Sequence, residues 1–555
     1  MNILVDNMLR VQGAPLPLKA EITKRLTIDN PEYKKRKAQR RPTWGLDAKI
    51  KLYSESSGTL VLPRGFEREL GEIIYTKGFD PLWTDATQPG RVFSNYGTWA
   101  ESFKIREQQE KCIEDISKGN GCLVAPAGSG KTIMGLRFVF DKGRTALWLT
   151  HTIDLLNQTI ARAEACMPDI GKVGRVAEGA VDWGDGKLIV ATYQTLMKND
   201  ALIDQLNQII GVAVIDECHH ASSDCFAEVV NKLTAKYRLG LTATPDRKDG
   251  LEALMYQTIG PKLHEINRQA LYDGGRLVKP EIRFIYTGFS YDPASVTSES
   301  GAVDAGGEEL NYQELTRRLI TDEDRLALIA ENIIKCSGFQ LVISDSIPYC
   351  HAIYQALQLQ GIPGYTRIEV VHGTLQKTKW VVARSEADAH RQMREGKAKN
   401  AKFDPRAKRW KVQIESYSPQ QLEEWNVRPA MRKQIMQDAA DRRIDILIAT
   451  GQLVQEGLDL PHLNYGHLVT PKRGDANGAN NGISVEQAIG RLMRPDPRVE
   501  NKTAVWFDYV DSRCSVLKSQ YFSRRKVYDR LGLHVPRKPP GKKEETSSFL
   551  SSLKW

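Results

Sequence analysis

From about residue 99 onward, short apolar runs alternate with amphipathic segments of helical length, and this alternation constrains the fold more than any other feature. GCLVAP (121–126), TALWLT (145–150), KLIVAT (187–192), GVAVID (211–216) and YRLGLTAT (237–244) are too short for helices and read as strands. Apolar strands in a βαβα order pair in parallel, and helices cover both faces of the sheet. A second series comes later, in QLVISD (340–345), IEVVHG (368–373), ILIAT (446–450), GHLVT (466–470) and TAVWFDY (503–509). The polar stretch SVTSESGAVDAGGEE (295–309) separates the two series and reads as a linker. The pattern therefore predicts an α/β chain with two parallel-sheet lobes in tandem.

The expected divisions are an N-terminal α+β accessory domain (1–98), a first lobe (99–294), the linker (295–309), a second lobe (310–533) and a flexible tail (534–555). At 555 residues the chain is too long for one core. The sequence holds no apolar run long enough for a membrane span, and MNILVDNMLR does not read as a secretory signal. Eight cysteines are scattered without a Cys-x-x-Cys pair, which argues against a zinc ribbon, an iron–sulfur cluster or a disulfide framework and fits a reducing cytoplasm. A net charge of +10 favours a polyanionic partner. The tail carries Phe549, Leu550, Leu553 and Trp555, a possible docking point for a protein partner.

APAGSGKT (125–132) lies between the strand GCLV and the helical run IMGLRFVF, which is the setting a phosphate loop needs. Ala127, Gly128, Ser129 and Gly130 would present backbone N–H groups to phosphate oxygens at a helix N-terminus. Lys131 would reach the β- and γ-phosphates of ATP, and Thr132 would offer its hydroxyl to Mg²⁺. The apolar strand GVAVI ends in Asp216-Glu217. There Asp216 can hold Mg²⁺, and Glu217 can orient or deprotonate an attacking water.

These motifs resemble the superfamily 2 helicases. DECH (216–219) is similar to their second motif, and RLGLTATPDRKDGLEAL (238–254) to their third together with the residues C-terminal to it. ATGQLVQEGLDLP (449–461) resembles the fifth and QAIGRLMRP (487–495) the sixth. Thr-His-Thr (150–152), ATYQTL (191–196) and REQQ (106–109) resemble two nucleic-acid-contact motifs and the adenine-reading Gln motif. Together they cover residues 100–525 in family order, and their flavour is that of XPB-like and phage UvsW-like DNA helicases. NPEYKKRKAQRRPTWG (30–45) and LVLPRGF (60–66) look like the accessory module of such proteins. Arg247-Lys248-Asp249 departs from the Arg-Glu-Asp that XPB proteins carry there.

The resemblance implies two RecA-like lobes, the first binding ATP. It gives Gln487, Arg491 and Arg494 the catalytic role of the second lobe, with both arginines on one face of a helix. Gln109, Gly457 and Asp459 would contact the nucleotide. His219, Thr242 and Thr244 would couple hydrolysis to nucleic-acid contacts at His151, Thr192, His372, Gly373 and Thr450.

Between VVHG and the helical MRKQIMQDAADRR (431–443) lies an insertion, 376–427. From Lys377 to Lys411 it holds twelve Lys or Arg against four Asp or Glu. KWVVA and RWKVQI read as strands and SEADAHRQM as a helix capped by Ser385, with Trp380, Phe403 and Trp410 forming a miniature core. AKFDPRAKRWKV resembles the HARP module of annealing helicases. We expect a nucleic-acid clamp using Lys402, Arg409 and Trp410.

The expected function is thus a monomeric ATP- and Mg²⁺-dependent DNA helicase or translocase. It would bind duplex, forked or single-stranded DNA largely without regard to sequence, because phosphate contacts carry no sequence information. Movement 3′→5′ and work in repair, recombination or replication are implied by the resemblance. The alternatives are an RNA helicase, an ATP-switched nucleic-acid-binding scaffold, or a defence motor that works with a partner subunit.

Overall fold

A computed structural model describes residues 1–219, 224–243, 252–291, 312–364, 366–373, 378–382, 385–395, 398–404, 409–415, 417–426, 429–451, 454, 460–474 and 485–533. The chain divides into two compact units, Met1–Leu277 and Val278–Trp555.

The first unit opens with a five-stranded sheet in the spatial order Ser54–Ser56, Thr59–Leu62, Leu9–Gln12, Asn2–Val5, Leu82–Asp85. Its strands are only three or four residues long, and alternate positions of the three central ones point into one core. Ile3, Val5, Leu9, Val11, Leu60 and Leu62 meet Leu18 and Ile22 of the helix Leu16–Arg25 and Leu70 of the helix Glu67–Thr76. A short excursion leaves this sheet: Thr27–Asp29 pairs antiparallel with Lys49–Lys51, and the helix Pro31–Ala38 lies between them in sequence.

An eight-stranded sheet comes next, in the order Ala180–Asp182, Gly174–Ala177, Leu188–Thr192, Ala146–Thr150, Val212–Ile215, Tyr237–Thr242, Gly121–Val124, Lys262–Glu265. All its pairings are parallel except the hairpin at Ala180–Asp182. The central strands are buried on both faces, which is why they read as unbroken apolar runs. One core holds Trp148, Leu123 and Val214, and the other holds Leu147, Ile215 and Phe226.

Two buried arginines tie the N-terminal sheet to this larger one. Arg64 donates to the carbonyls of Asp6, Ala235 and Lys236 at 3.1, 2.8 and 2.9 Å. Arg238, fully buried, donates to the carbonyls of Asn7 and Thr258 at 3.2 and 3.3 Å and to that of Leu233. Guanidinium groups suit this place because one planar fork can serve several carbonyls.

The second unit carries a six-stranded, wholly parallel sheet in the order Glu281–Tyr286, Val505–Val510, Tyr465–Leu468, Gln340–Ser344, Ile446–Thr450, Ile368–Val371. The expected limit of the first lobe at residue 294 would place Glu281–Tyr286 in that lobe. Instead it pairs along its whole length with Val505–Val510. Two buried ion pairs brace the sheet, Arg325 with Asp511 at 2.8 Å and Arg524 with Asp508 at 2.7 Å. Additional hydrogen bonds, among them Arg524 to the Lys472 carbonyl and Tyr528 to Asp508, satisfy the polar atoms of these pairs.

The insertion is folded. Arg409–Glu415 is the central strand of a three-stranded antiparallel sheet, flanked by Thr378–Val382 and Asn400–Asp404, with the helix Glu386–Arg394 packed on it. Ser385 caps that helix, its Oγ accepting from Asp388 N–H at 3.1 Å. The small core consists of Ala389, Ala398 and Val412, with Met393, Ala401, Trp410 and Ile414 against it. Phe403, expected in that core, is 48% exposed. It meets Trp410 only across the strand pair, at 5.9 Å between ring centroids. The side chains of Trp380 and Arg409 lie outside the described residues, as does the tail 534–555.

Replacing Arg64 by Met leaves three carbonyls without their donor. We expect a loss of about 2–4 kcal/mol in the stability of the first unit, read as a lower urea midpoint, with earlier protease cleavage around residues 86–100.

Candidate active site

The parallel strands of the first unit deliver their C-terminal ends to one edge, and the phosphate loop leaves from that edge. Gly121–Val124 is buried and feeds residues 125–130, after which the helix Lys131–Lys142 begins. Gly128 and Gly130 have φ of 83° and 90°, the left-handed region that favours glycine. A Cβ on Gly130 would stand 2.7 Å from Gln109 Nε2. Gly130 is the helix N-cap and supplies no side-chain cap, so the first-turn N–H groups are available to an anion. Ser129 is buried, and its Oγ has no hydrogen-bond partner among the described residues. An open first turn, an orphaned hydroxyl and a lysine at the mouth fit a polyphosphate.

Gln109 sits in the first turn of the helix Glu107–Ser117. Its Nε2 donates to the Ser129 carbonyl at 3.1 Å and its Oε1 accepts from Arg106 N–H at 3.2 Å. In this structure, therefore, the carboxamide expected to read adenine braces the phosphate loop.

Asp216 and Glu217 come directly after the strand Val212–Ile215. Asp216 is buried and accepts from Glu217 N–H at 3.0 Å. Burial raises its carboxyl above the usual range, the Glu217 charge adds to that, and Lys131 opposes it. Glu217 adopts φ of 46°, a strained value for a residue with a side chain. Its carboxylate lies 3.5 Å from Lys131 Nζ and 3.4 Å from His219 Nδ1. Glu217 thus joins the phosphate loop to the next motif. Asp216 and the Thr132 hydroxyl are oxygen donors of the kind Mg²⁺ takes. Among the described residues no cluster of three or more His, Cys, Asp or Glu could hold a metal, so such an ion would draw its remaining ligands from water and substrate oxygens.

His219 Nδ1 also lies 3.2 Å from Thr242 Oγ1, which brings together two of the three expected coupling residues. Thr244 lies outside the described residues. Farther along the same edge, Thr150 ends one strand and Thr192 the next. The His151 ring packs on Tyr193 at 5.2 Å, and its carbonyl accepts from Gln194 Nε2 at 2.7 Å. Thr192 Oγ1 is bonded to Thr195 Oγ1 at 2.9 Å. A cavity of about 590 Å³ opens over these ends, lined by His151, Thr152, Glu178, Thr192, Gln194 and Lys198. Gln194 and Lys198 were not singled out from sequence. Gln194 lies inside the ATYQTL motif, which was the available signal.

In the second unit the helix Val485–Leu492 carries Gln487 and Arg491 one turn apart. Arg494, expected on the same helical face, falls in the turn beyond the helix end. That turn is fixed by buried Lys502, whose Nζ donates to the carbonyls of Leu492 and Arg494 at 2.9 and 2.7 Å. No sequence motif marks Lys502. Gly457 and Asp459 lie outside the described residues. Thr450 ends its strand in a buried position, and a Cβ on Gly373 would meet nothing within 4 Å.

His372 corrects an expectation. It is fully buried, its Nδ1 lies 2.8 Å from the Gly373 carbonyl, and its Nε2 lies 3.4 Å from His351 Nε2. In this structure the ring faces His351 and is closed off from solvent. It supports His351 instead, which stacks on Trp425, from the end of the insertion, at 4.3 Å and 5°. On the insertion sheet, exposed Lys402 pairs directly across from Lys411, and Trp410 is half-buried beneath.

A family model described as the res subunit of type III restriction enzymes matches residues 102–247. A protein of Acanthamoeba polyphaga mimivirus, provisionally named an ATP-dependent RNA helicase, is 30% identical over 497 residues, 87% of this chain and 77% of that one. The chain belongs to the superfamily 2 helicases. The chain is also similar to the DNA 3′–5′ translocase XPB2 of Sulfurisphaera tokodaii, 27% identical over 187 residues, 34% of this chain. The chain spans 41% of that relative's length. The crystal structure of T4 UvsW aligns over 96% of this chain and 98% of its own at 14% identity, with a TM-score of 0.36, too low to argue from. Among the described residues no helix is long and apolar enough to cross a membrane.

The His351–His372 contact gives the second unit a pH dependence. Burial pulls the His351 imidazole down to about 4, with the His372 ring beside it adding to the effect, and burial also lowers His372, which faces Arg432. The unfolded chain, titrating near 6.5, binds more protons between those values. The stability contributed is therefore complete above pH 6.5 and is lost as the pH falls through about 4. Thermal melting of the wild type is expected to drop by several degrees between pH 7.5 and pH 5, and by less in His351→Phe, which keeps a ring against Trp425 but cannot be protonated.

Proposed function

We propose that this chain is an ATP- and Mg²⁺-dependent DNA helicase or translocase acting on duplex, forked or branched DNA. The observation that carries the reading is the single edge of the first sheet. There the Lys131–Glu217 contact at 3.5 Å, the Glu217–His219 contact at 3.4 Å and the His219–Thr242 contact at 3.2 Å form an unbroken chain. Thr242 ends the strand that lies between the phosphate-loop strand and the strand leading to Asp216, so the chain links three neighbouring strand ends. Lys131 exchanges its ion pair for phosphate oxygens, and Glu217, released from it, orients the attacking water. Asp216 and Thr132 would hold Mg²⁺, which would offset charge on the phosphate oxygens. His219 and Thr242 register the change in Glu217 and pass it along the edge. Arg491 and Arg494 take the charge-stabilising role that the family resemblance gives them.

The name of the archaeal relative supports 3′→5′ movement, and the +10 net charge supports a polyanionic track. The mimivirus relative's name favours a second reading, an RNA helicase. ATP hydrolysis measured without nucleic acid and with single-stranded, duplex and forked DNA or RNA separates the two. We expect stimulation by DNA, strongest on forks, and loss of turnover by at least about 100-fold in Lys131→Ala. Stimulation by RNA alone would overturn the DNA assignment.

The folded insertion, 376–427, is proposed as a clamp that holds duplex or fork through its basic sheet. Lys402→Ala combined with Arg409→Ala is expected to flatten the salt dependence of DNA binding by a slope of about 1–2 while basal ATP hydrolysis stays unchanged. An unaltered slope would sink the clamp.

A further inference from the structure

Phosphate contacts place a motor on a strand but do not read its bases. The N-terminal excursion, residues 27–51, carries a feature that can engage a base. Trp44 is 97% exposed, on a chain whose other tryptophans include the fully buried Trp148 and Trp506. An indole left in water gains nothing from burial, and its two faces are available to a flat, apolar ligand.

The tip that presents it is built rather than loose. Asn30 N–H donates to the Ala48 carbonyl and Asn30 Nδ2 to the Asp47 carbonyl, both at 2.9 Å, and these bonds close the base of the loop. The helix Pro31–Ala38 ends on Arg40, at φ of 53°, with Arg41 N–H returned to the Arg36 carbonyl. Leu46 N–H donates to the Thr43 carbonyl at 3.1 Å, and Gly45, at φ of 75°, completes a tight turn with Trp44 at its apex. A side chain held on a formed turn loses little conformational freedom on binding.

The surroundings are basic. The excursion contains eight Lys or Arg against three Asp or Glu. Two of those acids are matched locally, Asp29 by Lys34 at 2.7 Å and Glu32 by Arg36 at 2.8 Å. Lys37, Arg40, Arg41, Lys49 and Lys51 all stand exposed on the excursion. An exposed aromatic ring set among cations is the combination that holds single-stranded nucleic acid, the ring stacking on a base while the cations track the backbone. An intact duplex would first have to be unstacked to admit the ring, whereas an unpaired base incurs no such cost.

We propose that Trp44, with its flanking Lys and Arg residues, is a stacking site for an unpaired base, by which the N-terminal domain recognises single-stranded regions and fork or junction points. The inference rests on the nucleic-acid motor reading above and gives it a structure-selective element.

The test uses the full chain and its Trp44→Ala and Trp44→Phe variants. Binding is measured to a fluorescent single strand, a fork and a blunt duplex, and to a fork with 2-aminopurine at the unpaired position next to the branch. Trp44→Ala is expected to weaken single-strand and fork binding by roughly 10-fold, within the range of one lost base stack. Trp44→Phe should fall between, blunt-duplex binding should change by less than about twofold, and the salt slope should not move, because no charge is removed. Quenching of 2-aminopurine by the wild type, and its loss in Trp44→Ala, would locate the stacked base. Equal weakening on all three DNAs, or none on any, overturns the stacking site. If the wild type neither binds nor is stimulated by any nucleic acid, the motor reading fails first, and that result is distinct from a wild type that binds and a Trp44 variant that binds equally well.

Discussion

Parallel strand pairing is the constraint on which the rest of the first unit depends. Val124 is in register with Thr242, and Ile215 with Gly240 on the other side of the same strand. The phosphate loop, the Asp216-Glu217 pair and Thr242 must therefore leave the sheet at one level and one edge. The next two strands out end at Thr150 and Thr192, again in register with each other. An antiparallel sheet of the same residues would scatter these ends to opposite edges. Left-handed glycines in the loop and the strained Glu217 then close the gaps that remain between neighbouring strand ends.

The candidate catalytic residues lie on the large sheets, and the proposed clamp and stacking site lie on excursions from them. The insertion and the 27–51 excursion are both basic, and both are built on small antiparallel sheets. Neither interrupts a strand of the large sheets. At the end of the insertion, Trp425 stacks on His351. The N-terminal domain is held by Arg64 and Arg238, whose guanidinium groups serve carbonyls from both sides of the junction. This domain is thereby fixed to the sheet that carries the phosphate loop.

Much of this was legible from residues alone, for an identifiable reason. Strands buried on both faces must be apolar throughout, so GCLVAP or ILIAT needs no neighbours to be read. Asn2–Val5 and Leu9–Gln12 have one buried and one wet face over four residues, too short for an alternating pattern to stand out. Glu281–Tyr286 sits at a sheet edge, carries charge at both Glu281 and Arg283, and lies far in sequence from the strand it joins. His372 comes after an apolar strand in a motif-like position, but the space around it is filled by His351 and Trp425, which come from elsewhere in the chain. Phe403 reads as core, yet the helix Glu386–Arg394 covers Val412 and leaves Phe403 near the sheet's margin.

The sequence by itself determined the two parallel sheets, the phosphate loop with its paired carboxylates, the order of the motifs and the existence of a basic insertion. Each of these is written in local spacing: apolar period, glycine placement, charge density. Only the tertiary structure decided that Gln109 braces the phosphate loop, that Glu217 links Lys131 to His219, that Lys502 fixes the turn holding Arg494, and that Trp44 stands in solvent rather than in a core. These facts depend on which distant segments share a hydrogen bond or fill a volume. Pairwise proximity of that kind leaves no period in the sequence.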